Sequence, residues 1–157
     1  MIELHINNPA HYADFIRLNE QWITEYFQLE ESDQKLAANP SAVIDKGGYI
    51  LSLAQDNKVI GVCALFKQAE DTYELARLAV EKNFRRQGHG DRLIREALSI
   101  LHSIGVRQVT LMSNTVLANA LALYRKHGFI TLSEGPHPVY KRTNITMTKD
   151  LRINTNA

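Results

Sequence analysis

The chain has 157 residues, 45% of them hydrophobic, and its 18 basic and 17 acidic residues leave a formal net charge of +1. This size predicts one domain with a core, and the charge balance argues against a surface for nucleic acid or anionic lipid. No stretch reaches the roughly 20 apolar residues of a membrane span, and no secretion signal is evident. We therefore expect a cytoplasmic protein whose partner is a small molecule.

Cysteine and histidine usage indicates neither thiol catalysis nor a metal site. The single cysteine, Cys63, lies in an apolar, strand-like run and is expected to be a small core residue rather than a nucleophile. The six histidines show no HExxH pattern and no Cys/His pairing of the usual spacing. No metal is predicted.

The first half of the chain predicts two helices and four strands. Apolar residues recur at helical spacing over residues 10–29, and Ser32 or Asp33 is expected to cap a second, short helix that ends near Asn39-Pro40. Asp56-Asn57 predicts a hairpin turn. The predicted strands of this half span residues 2–6, 49–54, 59–66 and 73–80.

The second half predicts two helices among three strands. From Gly88, apolar residues recur every three or four positions as far as Ile104, and Gly105 supplies the stop. A further helix over residues 117–124 is closed by Gly128 at a left-handed cap position. The predicted strands span residues 106–112, 129–133 and about 140–148.

The order of these elements, β-α-α-β-β-β-α-β-α-β-β, predicts the fold class. It indicates an α/β domain with a mixed sheet, in which hairpins form the middle and crossover helices come later. No repeat, low-complexity run or linker divides the chain. Residues 1–150 are expected to form a single domain, and residues 151–157 a C-terminal tail.

A glycine-bearing segment between a strand and the best-defined helix predicts a phosphate-binding loop. Gly88 and Gly90 let the backbone approach a ligand, and the N–H groups of the first helical turn point outward at the positive end of the helix dipole. Arg85 and Arg86 would add positive charge there. The alternative is a glycine-bearing turn with solvated arginines. A Walker A loop lacks its Gly-Lys-Ser/Thr, and a dinucleotide fingerprint lacks its third glycine, where Leu93 stands.

Two motifs resemble those of the GNAT acetyltransferases. The first, Arg-x-x-Gly-x-Gly, spans residues 85–90, and the second joins a strand ending at Asn114 to Asn119 and to the run 123–129. The resemblance covers roughly residues 1–150 and implies a mixed, mostly antiparallel sheet of about seven strands flanked by about four helices. It also implies an N-acetyltransferase that uses acetyl-CoA. The chief departure is Arg86, where many relatives have glycine.

The resemblance further implies which residues contact acetyl-CoA. Leu78 and Val80 would offer backbone hydrogen bonds to the pantetheine arm from a bulged strand. The N–H groups of residues 87–91 would hold the pyrophosphate, and Asn119 would contact the cofactor farther along. The implied cofactor-binding residues are Leu78, Ala79, Val80, Arg85, Arg86, Gln87, Gly88, His89, Gly90, Asp91, Asn114, Asn119 and Tyr124.

Two side chains are candidates for proton transfer in a direct attack of a primary amine on the thioester. Tyr124 matches the family tyrosine near the thioester sulfur, and a phenol with a reference pKa of about 10 can protonate a departing thiolate. Glu74 stands where some members keep a base for the incoming amine. The alternatives are a ring packed in the core for Tyr124 and an exposed strand carboxylate for Glu74.

The acceptor region shows an excess of acidic residues, since five lie between Leu18 and Gln34 without a lysine or arginine. In the family this region borders the acceptor cleft, so Glu30, Glu31 and Asp33 are predicted to attract an amine with additional positive charge. The alternative is a solvated acidic helix face.

The acceptor itself is expected to be a small molecule or a peptide, and a homodimer remains open. The rival functions are a non-catalytic acyl-CoA-binding sensor and an interaction or nucleic-acid module, and the near-neutral charge disfavours the second.

Overall fold

The computed structural model describes residues 1–137 and 141–152, and within them seven strands form one open sheet. Four strands precede the long central helix and three follow it. The strands are β1 (Ile2–Ile6), β2 (Tyr49–Gln55), β3 (Lys58–Ala69), β4 (Thr72–Val80), β5 (Gln108–Ser113), β6 (Ile130–Glu134) and β7 (Ile145–Asp150).

Five α-helices accompany the sheet in the described part of the chain, together with short 3-10 turns at Pro9–His11 and Lys82–Phe84. None of the described helices has the length and apolar character needed to cross a membrane. The helices are α1 (Tyr12–Tyr26), α2 (Glu31–Ala38), α3 (Ala42–Asp45), α4 (His89–Ser103) and α5 (Ala118–Lys126).

The sheet has the strand order β1-β2-β3-β4-β5-β7-β6, and β4 and β5 form its one parallel pair among the described strands. Helix α4 makes the crossover between these two strands, as a parallel connection requires. A core around α4 lies on one face of the sheet, and a second core that includes Phe15 and Leu18 of α1 lies on the other. Alternate residues of β3 belong to each core, so both faces of this strand are buried.

The predicted fold class is confirmed, with one helix more than the predicted four. Helix α3 is a single turn, too short to leave a periodic pattern in the sequence. Cys63 is fully buried in the core around α4, and burial raises the pKa of its thiol to about 12, as expected of an inert core residue.

Several element bounds differ from the predictions. Helix α1 ends at Tyr26 rather than near residue 29, because Phe27 has an extended backbone. Glu30, not Ser32 or Asp33, is the N-cap of α2. Strand β7 begins at Ile145 and not near residue 140, which lies outside the described residues, as does the predicted tail beyond Arg152.

The sheet opens between its two parallel strands. β4 pairs with β5 at three positions only, Thr72 to Glu74 against Gln108 to Thr110. Beyond Glu74, β4 continues to Val80 while β5 pairs with β7 alone, so the described part of the sheet has unpaired β4 backbone on this side. Because an unpaired strand edge offers N–H and C=O groups to a ligand, this opening positions the site.

Candidate active site

Two neighbouring cavities lie at the opening between β4 and β5. The large cleft encloses about 660 Å³ between the end of β4, the start of α4 and helix α5. The inner cavity encloses about 130 Å³ between α1, β4, the end of β5 and the segment before β7. Five residues line both cavities and so mark their junction: Trp22, Leu78, Leu117, Ala120 and Tyr124.

The N-terminus of α4 forms one wall of the large cleft. Gly88 is the N-cap residue with φ +85°, and no side chain caps the helix. No heavy atom lies within 4 Å of a Cβ built on Gly88, and one built on Gly90 meets only Leu123 Cδ2, at 3.4 Å. The N–H groups of a 15-residue helix therefore face open space beside two glycines, which is an arrangement that binds anions.

The two arginines of the loop differ in their surroundings. Arg85 donates to Glu25 Oε2 at 2.8 Å and to the Val80 carbonyl at 3.2 Å, so its charge is already paired rather than available as predicted. Arg86 is exposed and contacts no hydrogen-bond or ion-pair partner within the described structure. Its φ of +64° is in the left-handed region that glycine adopts freely. Arg86 is therefore the loop cation available for a phosphate.

Two further loop residues are held by their side chains. His89 is buried beside Phe84, and its Nε2 has no hydrogen-bond partner among the described residues. Asp91 accepts from Lys126 Nζ at 2.9 Å and from His127 Nε2 at 2.8 Å, and these hydrogen bonds lower its pKa to about 2. Asp91 thus joins α4 to the end of α5, while its N–H lies in the first turn of α4.

A bulge in β4 shapes the junction. Ala76 pairs with Ala64 and Ala79 with Val62, so three steps along β4 match two along β3. The extra residue falls at Arg77, whose φ is +60°. The bulge predicted for this strand is therefore present, and it places Leu78 at the junction with Ala79 and Val80 along the large cleft.

Tyr124 lies at the junction with its ring edge-on to Phe129, 6.2 Å between centroids. Burial raises the pKa of the phenol to about 12, with a smaller contribution from Cys63. The phenol is therefore protonated at neutral pH, the state in which it can act as an acid. Its hydroxyl makes no hydrogen bond within the described part of the chain, so it is available to a ligand.

Glu74 lines the inner cavity, where Gln68 Nε2 donates to its Oε1 at 2.8 Å. Burial raises the pKa of this carboxyl, although Arg77 and the Gln68 hydrogen bond act in the opposite direction. A raised pKa makes the ionised carboxylate a better proton acceptor. The structure thus places both predicted proton-transfer residues on the same cavity.

The acidic residues predicted at the acceptor rim have partners within the chain. Arg142 donates from Nη1 to Asp33 Oδ2 and from Nη2 to Asp33 Oδ1, both at 2.7 Å, and Arg77 donates to Asp33 as well. Arg142 also reaches Glu30 Oε2 at 3.0 Å, and exposed Glu31 pairs with Lys35. The carboxylates of Glu30 and Asp33 are therefore neutralised by arginines instead of forming an open acidic rim.

Of the two predicted cofactor-binding asparagines, only Asn119 lines the large cleft. Asn114 lies on the inner cavity, where its side chain donates to the Arg142 carbonyl and accepts from the Val116 N–H. Sequence reasoning missed Arg77 and Arg142 as site residues. Neither belongs to a motif, and they meet only because β4 bulges and the segment before β7 crosses toward α2.

Comparison with known proteins agrees with this geometry. The family described as Acetyltransferase (GNAT) domain matches residues 46–131. Human N-acetyltransferase 8 is 26% identical over 111 residues, which are 68% of this chain and 49% of that protein, so the chain spans about half of its length.

Solved structures share the fold. A GNAT-family acetyltransferase from Staphylococcus aureus superposes with a TM-score of 0.86 at 16% identity, covering 97% of this chain and 100% of that one. The phosphinothricin acetyltransferase of Sinorhizobium meliloti, in complex with acetyl-CoA, gives 0.79 at 16% identity, covering 99% and 91%. Because the family match covers more than half of the chain, the protein belongs to the GNAT acetyltransferase family.

Proposed function

We propose that this protein transfers the acetyl group of acetyl-CoA directly to the primary amine of a small molecule or peptide. The observation that carries the proposal is the junction of the two cavities at Tyr124. The protonated phenol there lines both the large cleft, with its anion-binding helix terminus, and the inner cavity, with the carboxyl of Glu74. Family membership, and a relative in complex with acetyl-CoA, support the same reaction.

The large cleft fits acetyl-CoA by the chemistry of its donors. The uncapped first turn of α4 supplies N–H groups for a pyrophosphate, Arg86 supplies a cation, and the buried Nε2 of His89 lacks a partner among the described residues. The edge of β4 that β5 leaves unpaired, at Leu78 and Val80, offers backbone groups to the amides of a pantetheine arm, with the Val80 carbonyl already accepting from Arg85 Nε. Acetyl-CoA brings an activated acetyl thioester to this cleft.

Glu74 and Tyr124 then have separate proton-transfer roles. Glu74 accepts a proton from the acceptor's ammonium, directly or through water, so that the amine nitrogen can attack the acetyl carbon. A backbone N–H of the β4 bulge polarises the carbonyl, and the C–S bond breaks as the C–N bond forms. Tyr124 donates its proton to the departing sulfur, and its raised pKa keeps it protonated until then. No covalent enzyme intermediate is needed.

Thiol release tests the proposal. The protein is incubated with acetyl-CoA and a panel of amines, and free CoA is measured against a reaction without amine. Amine-dependent release that falls sharply in Tyr124→Phe supports direct transfer, with Tyr49→Phe as a control on β2, since Tyr49 lines neither cavity. Binding of acetyl-CoA by calorimetry without release on any amine would instead indicate a non-catalytic sensor.

A further inference from the structure

Two arginines form part of the wall of the inner cavity, beside the proposed base Glu74. Arg77 comes from the bulge of β4, and Arg142 comes from the segment between β6 and β7. Both side chains are largely buried, with 12% and 13% of their surface exposed. Burying two guanidinium groups beside a small cavity costs free energy unless each is paired with a hydrogen-bond acceptor.

The acidic partners of these arginines do not line the cavity. Asp33 and Glu30 are absent from its wall, which makes Arg77, Arg142 and Glu74 the charged groups that line it among the described residues. Although burial alone would raise the pKa of Asp33, hydrogen bonds from Arg142, the Glu30 N–H and Arg77 outweigh it and lower that pKa to about 2. The carboxylate of Asp33 therefore stays ionised and holds both guanidiniums in place.

Donor capacity remains after these contacts are made. A guanidinium carries five N–H donors in a planar fork. Arg77 reaches Asp33 through Nη1 alone, and its Nε and Nη2 donate to no other residue in the described structure. A carboxylate is the group that such a fork binds with two parallel hydrogen bonds.

We propose that the acceptor amine carries a carboxylate, as an amino acid does, and that Arg77 and Arg142 bind it. The inference rests on the proposed acetyl transfer and gives it a substrate class. The carboxylate would lie against the arginines and the amine would point toward Glu74, in a cavity of about 130 Å³. A polyamine or another cationic acceptor, expected from the acidic residues of α2, would find Glu30 and Asp33 already engaged by the arginines of the cavity wall.

The wild-type enzyme is tested first, with acetyl-CoA and matched pairs of amino acids and their carboxamides. We expect kcat/KM to be at least tenfold higher for the amino acid, mainly through a lower KM. Amine basicity cannot produce this preference, because the carboxamide has the less basic and more readily deprotonated amine. Equal kcat/KM values for the two members, with clear turnover, would overturn the inference and leave the proposed function intact.

Variants then locate the effect. Arg77→Gln should remove the preference, by raising KM about tenfold more for the amino acid than for the carboxamide. Arg107→Gln, an exposed arginine outside both cavities, is the matched control. If Arg77→Gln lost turnover equally with both substrates, Arg77 would act only as a structural partner of Asp33. That result would contradict its proposed role in binding the carboxylate.

Binding separates failure of the inference from failure of the proposed function. If no amine turns over, the proposed function fails, and calorimetry with the CoA-bound protein compares an N-acetyl amino acid with its carboxamide. Tighter binding of the carboxylate in the wild type, lost in Arg77→Gln, would still support the carboxylate site. Equal or undetectable binding of both would overturn it. The wild-type comparison decides the matter even where a variant fails to fold.

Discussion

The large cleft and the inner cavity are built in different ways. One contiguous stretch, residues 78–91, supplies much of the large cleft. The groups that it offers to a ligand are backbone N–H groups, left accessible by the glycines and by the unpaired edge of β4. The inner cavity draws side chains from positions as far apart as Asn19 and Thr143. The large cleft is therefore built mainly of backbone groups, which makes it a backbone site, and the inner cavity is built of side chains, which makes it a side-chain site.

The family match covers most of the large cleft but only part of the inner cavity. It spans residues 46–131 and so includes the whole phosphate-binding loop and Tyr124. It excludes α1, α2 and the segment that carries Arg142. Glu74 and Arg77 of the inner cavity lie within the matched region, whereas its residues on α1 and in the segment before β7 lie outside it.

The largest expected effect is on the stability of the acceptor side. Asp33→Asn leaves the largely buried guanidinium of Arg77 without its anion and that of Arg142 with Glu30 alone, so we expect a loss of about 3 kcal/mol in the free energy of unfolding. Glu31→Gln is the control, since its helical pair with Lys35 is exposed and worth about 0.3 kcal/mol. Urea unfolding at neutral pH measures both. A loss below about 1 kcal/mol for Asp33→Asn would show that the ion pairs carry little weight.

The same residue predicts a pH dependence of stability. The pKa of Asp33 is lowered to about 2 in the fold, against about 3.9 in an unfolded chain. Its contribution is therefore complete above the unfolded pKa and is lost as the pH falls toward 2. Urea titrations between pH 5 and pH 2 should show the wild type and Asp33→Asn converging.

Tyr124→Phe tests the junction. Removing the hydroxyl takes away the acid but keeps the ring on Phe129, so we expect turnover to fall about 100-fold to 1,000-fold with unchanged acetyl-CoA affinity. Stopped assays at saturating substrates measure turnover, and calorimetry measures affinity. Full turnover would make Tyr124 a packing residue, the alternative that helical periodicity alone allowed.

Glu74→Gln tests the base, with an expected loss of about 100-fold in kcat/KM at neutral pH. In the wild type kcat/KM should fall as the pH drops through the raised pKa of Glu74, because protonation removes the acceptor for the amine's proton. The variant should lack this limb of the pH profile. Glu70→Gln, on a nearly fully exposed side chain, is the control. An unchanged profile in Glu74→Gln would place the base elsewhere.

Gly90→Val tests the large cleft alone. A Cβ at this position meets only Leu123, so the variant should fold, while its side chain adds bulk at the helix terminus. We expect the Kd for CoA to rise about 30-fold, or ~2 kcal/mol. Ala122→Val, which adds two carbons where Gly90→Val adds three, is a control on the exposed face of α5. An unchanged Kd in folded Gly90→Val would reject the assignment of the phosphate-binding loop.

The position of residues 78–91 beside a cleft could be predicted from local sequence, whereas the role of Tyr124 was suggested by the family resemblance and stays a prediction. Glycine beside a helix start predicts an open N-terminus whatever packs around it. The sheet was predictable for a similar reason, since alternation and turn residues define its strands locally.

The acceptor side could not be predicted in the same way. An acidic run between Leu18 and Gln34 resembles an anionic surface until Arg142, more than 100 positions later, is placed against Asp33. The left-handed backbone of Arg77 left no trace in the sequence, because arginine rarely adopts it. Long-range charge pairing therefore replaced the predicted open acidic rim with carboxylates that are already paired with arginines.

The smallest expected effect concerns Arg86. Its backbone conformation lowers the stability of the fold, whereas its side-chain charge favours the binding of CoA. Its φ of +64° costs an arginine about 1 kcal/mol that glycine would not incur, and the greater freedom of glycine in the unfolded chain offsets part of that gain. Arg86→Gly should therefore raise the free energy of unfolding by about 0.5 kcal/mol or less. The same change removes the loop cation, so CoA should bind several-fold more weakly, and added salt should reduce that difference by screening.

Arg86→Ala separates the two effects, because alanine loses the charge but keeps the strained backbone. It should show the same loss of CoA affinity without the gain in stability. If glycine binds CoA as well as arginine does at low salt, the phosphate loop relies on its backbone N–H groups alone, and the large cleft is a backbone site throughout. If alanine is as stable as glycine, the strain of the left-handed conformation at residue 86 is no larger than the effect of glycine's greater freedom in the unfolded chain.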